Sequence, residues 1–255
     1  MLTRLHIIME KPKDCKISVN ISSLLQGALM EIVNSESAEE LHNGGRQPYS
    51  QYVEVLEHEI VWTVQTLTKQ AYEQIIVPLL DEKVSSIYLR HRDREFRILD
   101  KIQKQMSYEQ LRRDYYFTNC SRFVTIQFVT PTAFKSKGEY VFYPTVRLLM
   151  QSFMLKYDAC SDDGELFSEE VLEHFVEHVK IVKYKLRSYE FHLEGTKVPA
   201  FLGEITLKIG GAQAFVNLAE YLVRFGEFSG VGIKCGMGMG GIRVVEKERG
   251  RYERE

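Results

Sequence analysis

Twice along this chain the residue pattern passes between strand and helix periodicity in the same order, and that order leaves few folds open. In the first half, Leu2–Met9 has strand character, and Asn20–Val33 then sets Ile21, Leu24, Leu25, Ala28, Leu29, Ile32 and Val33 along one helical side. Tyr49–Leu56 and Glu59–Leu67 alternate like paired strands, and Lys69–Leu80 returns to helical spacing with Pro78 near its end. Val84–Leu89 and Glu95–Leu99 are strands again, followed by a short helix over Ser107–Tyr115. The second half runs strand Arg122–Val129, helices Pro144–Cys160 and Ser168–Val179, strands Lys180–Leu193 and Lys197–Ile209, helix Ala212–Phe225 and strand Ile242–Val245. Each half reads β-α-β-β-α-β. The spacing therefore predicts an α+β protein of two tandem ferredoxin-like domains, 1–115 and 120–247, joined near residues 114–120.

A length of 255 residues accommodates two such domains, and 44% apolar residues are enough for two cores. The four cysteines, Cys15, Cys120, Cys160 and Cys235, form no CxxC pair and no cluster at zinc spacing. That pattern fits a reducing compartment. The opening MLTRLHIIMEKPK lacks the apolar core of a secretory signal, and no apolar run approaches the ~20 residues that span a bilayer. A cytoplasmic protein is expected. The net charge of −2 is unremarkable, but residues 83–113 and 134–156 each carry an excess of Lys and Arg. A polyanion could bind through such a segregated face, though on charge alone a solvated surface explains these stretches equally well.

The segment FSGVGIKCGMGMGG, residues 228–241, concentrates six of the 17 glycines. Gly236, Gly238 and Gly241 satisfy GxGxxG, but a dinucleotide fingerprint follows a strand, opens a helix and precedes an acidic residue some 20 positions on. Here the glycines run into the strand-like Ile242–Val245, and no GK[ST] follows, so a phosphate-binding loop of either nucleotide type is excluded. Glycine frees the backbone for positive φ and close approach, and backbone N–H groups in such a loop can face phosphates. A tight structural turn would need far fewer than six glycines, so the segment is expected to cradle a phosphate backbone at Gly230, Gly232, Gly236, Gly238 and Gly240, with Lys234 as the charge contact.

Three stretches in order resemble the CRISPR-associated endoribonucleases of the Cas-six type, in the RAMP superfamily. GVGIKCGMGMGGIRV is similar to the superfamily's glycine-rich loop before the last strand. Thr130-Pro131-Thr132-Ala133-Phe134, continuing through Lys137-Gly138-Glu139-Tyr140 to Phe142-Tyr143-Pro144, resembles its TPT-x-F segment. Leu41-His42-Asn43-Gly44-Gly45-Arg46 resembles the histidine that follows the first long helix. The resemblance spans residues 2–245. It implies cleavage of CRISPR repeat RNA in precursor transcripts, without metal or cofactor, by attack of a ribose 2′-hydroxyl on its own phosphate. The products would be a 2′,3′-cyclic phosphate and a 5′-hydroxyl. It also implies passing contact with a type I or type III effector complex, no membrane, and a monomer or homodimer. Many members carry a tyrosine on the first long helix and a lysine after the histidine. This chain has Met30 and Glu31 in the first place and no lysine between His42 and Lys69.

Such chemistry needs a base for the 2′-hydroxyl, an acid for the leaving oxygen and positive charge at the phosphorane. The resemblance points to His42 as the acid–base group and Arg46 as the nearest cation. Arg46 steadies charge but does not give up a proton near neutral pH. Of the other histidines, His6 reads as a half-buried strand residue and His58 and His192 as strand or strand-edge positions. His91 lies in the basic YLRHRDREFR stretch. His174 and His178 are four apart on a helix, and for want of a third ligand they read as surface residues. Tyr49 and Phe134, flanked by polar residues and read as loop positions, are candidates for stacking on bases. Lys135, Lys137 and Arg147 are candidate phosphate contacts. The alternative function is a RAMP subunit that holds guide RNA without cutting it; a ferredoxin-like ligand-binding protein would leave the Thr130–Pro144 segment unexplained.

Overall fold

The computed structural model describes residues 1–13, 16–33, 47–193 and 195–246. His42 and Arg46 lie outside the described residues. The first sheet contains β1 (Leu2–Glu10), β2 (Tyr49–Val55), β3 (Glu59–Thr66), β4 (Ser86–Leu89) and β5 (Arg94–Met106) in the order β2-β3-β1-β5-β4. All its pairings are antiparallel. The second contains β6 (Phe123–Thr132), β9 (Val179–Leu193), β10 (Thr196–Ile209) and β11 (Ile242–Val244) in the order β11-β6-β10-β9. In both sheets the first strand of the unit sits between the third and the last, the ferredoxin-like arrangement, and the first sheet adds β4 at its edge. Between β6 and β9 a hairpin of β7 (Phe134–Ser136) and β8 (Glu139–Val141) turns through Lys137 and Gly138, at φ +50° and +88°. Two positive φ values in a two-residue loop match the right-handed twist of the strands.

One face of each sheet is covered by helices. In the first unit α1 (Ser22–Ile32) lays Leu25, Ala28 and Leu29 on Leu5, Ile7, Trp62 and Val64. The expected single helix over Lys69–Leu80 is divided. A short α2 (Lys69–Ala71), capped by the Thr68 hydroxyl, opens into a π-turn at Tyr72–Ile76 before α3 (Val77–Leu80). Pro78 has no N–H to donate and its ring crowds the preceding turn, which accounts for the wider winding there. Strand β5 outruns the expected Glu95–Leu99 because β1 pairs along it as far as Met106, a tertiary pairing that its charged, weakly alternating sequence does not announce.

Hydroxyl caps start α4 (Tyr108–Tyr115) at Ser107, α5 (Val146–Cys160) at Thr145 and α6 (Glu169–His178) at Ser168. Each satisfies one of the N–H groups that a helix start leaves unbonded. Helix α7 (Gln213–Ser229) runs one turn beyond the expected Phe225 and buries Val216, Ala219, Leu222, Val223 and Phe225. Helix α4 packs on it through Leu111 and Tyr108, whose ring lies 6.1 Å from Phe225. The extra turn of α7 ties the two units together. Arg4 donates to the Glu227 carbonyl at 2.7 Å and stacks over Phe228, and the Ser50 hydroxyl donates to the Phe228 carbonyl at 2.7 Å. Arg224, nearly buried, is held by Glu220, Glu227 and Glu246, so its charge is paired where desolvation would otherwise be costly. No helix among the described residues is long and apolar enough to cross a membrane.

Candidate functional site

The TPT segment and the glycine-rich loop form one structure. Thr130, Pro131 and Thr132 end β6, and the loop that leaves α7 folds back along them. Gly240 N–H donates to the Pro131 carbonyl (3.0 Å), Gly241 N–H to the Thr130 hydroxyl (2.9 Å), and Ile233 N–H to the Ala133 carbonyl (3.0 Å). Within the loop Val231 N–H donates to the Gly240 carbonyl at 2.8 Å. The far end of the loop rests on the first unit. The buried Gln51 amide donates to the carbonyls of Gly236 (3.1 Å) and Ser22 (2.8 Å), and its oxygen accepts from the Trp62 indole (2.8 Å). A side chain at Gly238 would begin 2.0 Å from the Ser22 hydroxyl, and one at Gly240, where φ is +72°, would begin 2.1 Å from the Val231 carbonyl oxygen. The glycine density is thus required by packing, within the loop at Gly230 and Gly240 and against the first unit at Gly236 and Gly238. This corrects the expectation that a structural turn would need far fewer glycines.

Between the loop, the β7–β8 hairpin and α5 lies a cavity of about 540 Å³. Lys135 reaches it from the hairpin, Lys156 from α5 and Lys234 from the loop, where φ is +56°. Lys156 is anchored: its ammonium donates to the Ser229 carbonyl at 3.1 Å and to Cys235 Sγ at 2.8 Å. Gln47 and Gln151 add amides, and Leu148, Leu155, Ile233 and Met237 supply apolar wall. Among the described residues that line it there is no aspartate or glutamate. Three cations without a counter-carboxylate in one concavity suit an anion with an apolar part, such as a nucleotide.

The candidates read from the sequence divide accordingly. Lys135, Lys234, Gly232 and Gly236 line the cavity, while Gly230 terminates α7 at φ +64° beside Cys235. Lys137 is exposed at the tip of the hairpin, away from the cavity lining. Tyr49 and Phe134 are not loop residues. Tyr49 opens β2 and is 2% exposed, and Phe134 opens β7 at 3% and stacks on Phe201. Both bound the cavity from beneath, with their ring faces already packed by neighbouring apolar groups, so neither offers a free face to a base. Burial pushes the Tyr49 phenol upward, partly offset by the neighbouring Gln26, and its oxygen has no well-formed hydrogen bond. Arg147 is also committed elsewhere. It forms a two-pronged ion pair with Glu169, at 2.7 Å, and Glu173 of α6, which offsets its charge.

The sequence reading missed Lys156 and Gln151. Both were legible in principle, because Leu148, Gln151, Ser152 and Lys156 recur at helical spacing on one side of α5. It also passed over Tyr140, Phe142 and Tyr143, which are 38%, 46% and 59% exposed and follow the lysine hairpin directly. Their rings are accessible where those of Tyr49 and Phe134 are not.

Comparison with known proteins agrees with this geometry. Residues 126–242, from β6 to the start of β11, match the family model for the CRISPR-associated endoribonuclease Cas6. A CRISPR-associated endoribonuclease Cas6 of Mycobacterium tuberculosis (strain ATCC 25618 / H37Rv) is 34% identical over 246 residues, 95% of this chain and 78% of the relative. One from Streptococcus thermophilus is 31% identical over 223 residues, 87% of this chain and 90% of the relative. Among solved structures, a Cas6 product complex superposes with a TM-score of 0.82 at 21% identity, covering 96% of this chain and 99% of that one. A Thermus thermophilus Cas6 superposes at 0.75 with 22% identity, covering 96% and 98%.

Proposed function

The chain belongs to the Cas6 family of CRISPR-associated endoribonucleases, and from that premise we propose that it cuts repeat RNA in precursor transcripts by a metal-independent route. In this reading the ribose 2′-oxygen attacks the adjacent phosphorus, the bond to the 5′-oxygen of the next nucleotide breaks, and a 2′,3′-cyclic phosphate and a 5′-hydroxyl remain. His42 moves the proton, and Arg46 with the lysines of the cavity opposes the charge that grows on the phosphorane. The observation that carries the proposal is the cavity with three lysines and no acidic lining residue, walled by the glycine loop. Gln47, the first described residue after the stretch bearing His42 and Arg46, lines it. The acid–base role of His42 rests on the resemblance of its position to the family's histidine after the first long helix; the described lining residues include neither histidine nor carboxylate.

The test is incubation of the purified chain with its own repeat RNA in EDTA. The expected outcome is one cut with a cyclic phosphate at the new 3′ end. RNA binding without cleavage, with or without added magnesium, would instead assign the chain the role of a guide-RNA-holding subunit.

A further inference from the structure

The last turn of α6 reads His174-Phe175-Val176-Glu177-His178, with Phe175 in the core and both imidazoles toward the surface. Positions i, i+3 and i+4 fall on one helical side. Imidazole nitrogens of His174 and His178 and a carboxylate oxygen of Glu177 lie within 4.8 Å of one another. The sequence offered these histidines no third ligand; in the fold the Glu177 carboxylate lies close enough to be one.

Two further features hold the group in place. Both rings pack on Phe215 of α7, with centroids 4.5 Å and 6.0 Å away, and they lie 4.1 Å from each other. In addition, Nδ1 of His178 lies 3.1 Å from the His174 carbonyl oxygen. The same nitrogen lies 3.8 Å from a Glu177 carboxylate oxygen; when protonated it donates to the His174 carbonyl, and Nε2 is then the nitrogen left for an ion. Metal-bound histidines are commonly oriented by such a bond. A zinc ion about 2.0–2.1 Å from each nitrogen holds them roughly 3.3 Å apart, so closing on an ion asks for small side-chain rotations.

We propose that His174, Glu177 and His178 form a site for a divalent transition-metal ion, zinc above all, with water completing the coordination. Two imidazoles and one carboxylate select borderline ions of the zinc, nickel and copper type over magnesium or calcium, which take oxygen ligands. The site shares no residue with the lysine-lined cavity, so it stands or falls independently of the endoribonuclease reading.

The test is titration of the full chain with zinc chloride against a chromophoric chelator, followed by nickel and magnesium. The expected result is one zinc ion per chain, nickel competing and magnesium not, with a rise in melting temperature that EDTA reverses. The double variant His174→Ala/His178→Ala should weaken binding by about tenfold or more. Glu177→Gln, which keeps both rings, should weaken it by a smaller factor. All these residues are exposed or half-exposed, and circular dichroism checks that the variants remain folded. Absence of zinc binding to the wild-type chain, or binding unchanged in the double variant, overturns the proposal, the latter by placing the ion on other groups such as the cysteines.

Discussion

Replacing Gly240 by alanine should cost the fold far more than replacing Gly138, although both residues hold positive φ, at +72° and +88°. At either position the new side chain is strained by roughly 1–2 kcal/mol in the left-handed region. Beyond Gly138 a Cβ meets nothing within 4 Å, so the cost ends there. At Gly240 the Cβ would fall 2.1 Å from the Val231 carbonyl oxygen and 2.9 Å from Cys235 Sγ. That oxygen belongs to the backbone, so relief requires the loop itself to move, at about 1–3 kcal/mol. Movement also stretches the bonds from Gly240 N–H to Pro131 and from Val231 N–H to Gly240, each worth about 1 kcal/mol. Gly240→Ala is therefore expected to lose about 4–7 kcal/mol, a large part of the roughly 5–15 kcal/mol that holds a typical domain. Urea unfolding of both variants measures the difference directly, and RNA affinity should be determined on the fraction that remains folded. Equal stability of the two variants would refute the packing argument. A normally folded Gly240→Ala chain that fails to bind RNA would restore a direct RNA role for the loop's glycines.

Lys135→Gln combined with Lys137→Asn, the latter chosen because asparagine tolerates positive φ, should weaken RNA binding across sequences. It should also reduce the slope of log affinity against log salt by about 1.4 if both lysines meet single-stranded phosphates; unchanged affinity and slope would remove the hairpin from the RNA path. His42→Ala should slow single-turnover cleavage by ~10²–10⁴ while binding holds, and a 2′-deoxy nucleotide upstream of the cut should abolish cleavage in wild type. A wild-type rate in the variant, or a cut in the deoxy substrate, would contradict the mechanism. His6 is half-buried, with Nδ1 2.9 Å from the Thr63 hydroxyl, and its pKa is lowered to about 4 by burial first and then by Arg4, Lys104 and Arg243. The folded chain thus binds fewer protons than the unfolded one between about pH 4 and 6.5, and the stability tied to His6 is complete above that window and lost as pH falls through it. After allowance for solvent reaching the ring this is about 1–2 kcal/mol. His6→Gln should flatten that part of the profile in urea midpoints taken at pH 7.5 and 4.5, and an identical profile would contradict the assignment.

The double β-α-β-β-α-β order was legible in the sequence because most elements are amphipathic with their own period, which survives without knowledge of neighbours; the full length of β5 and the π-turn at Tyr72–Ile76 were not. The motif positions were legible for the same local reason. Thr130–Phe134, the lysine-glycine turn and the glycine-rich segment are each contiguous in the chain. Which rings face solvent, which cations are free and why the glycines are needed were settled only by tertiary contacts. Tyr49 and Phe134 have polar neighbours in sequence, yet they lie under the loop because β2 and β7 bring Gly236 and Phe201 against them. Arg147 is exposed by helical position, yet two glutamates 22 and 26 residues away pair its charge. Lys156 looks like any helix-surface lysine until α5 carries it to Ser229 and Cys235, 73 and 79 residues further on. Local pattern fixes what a segment becomes. The charge, burial and company of a side chain come from segments distant in the chain, and no window along the sequence contains them.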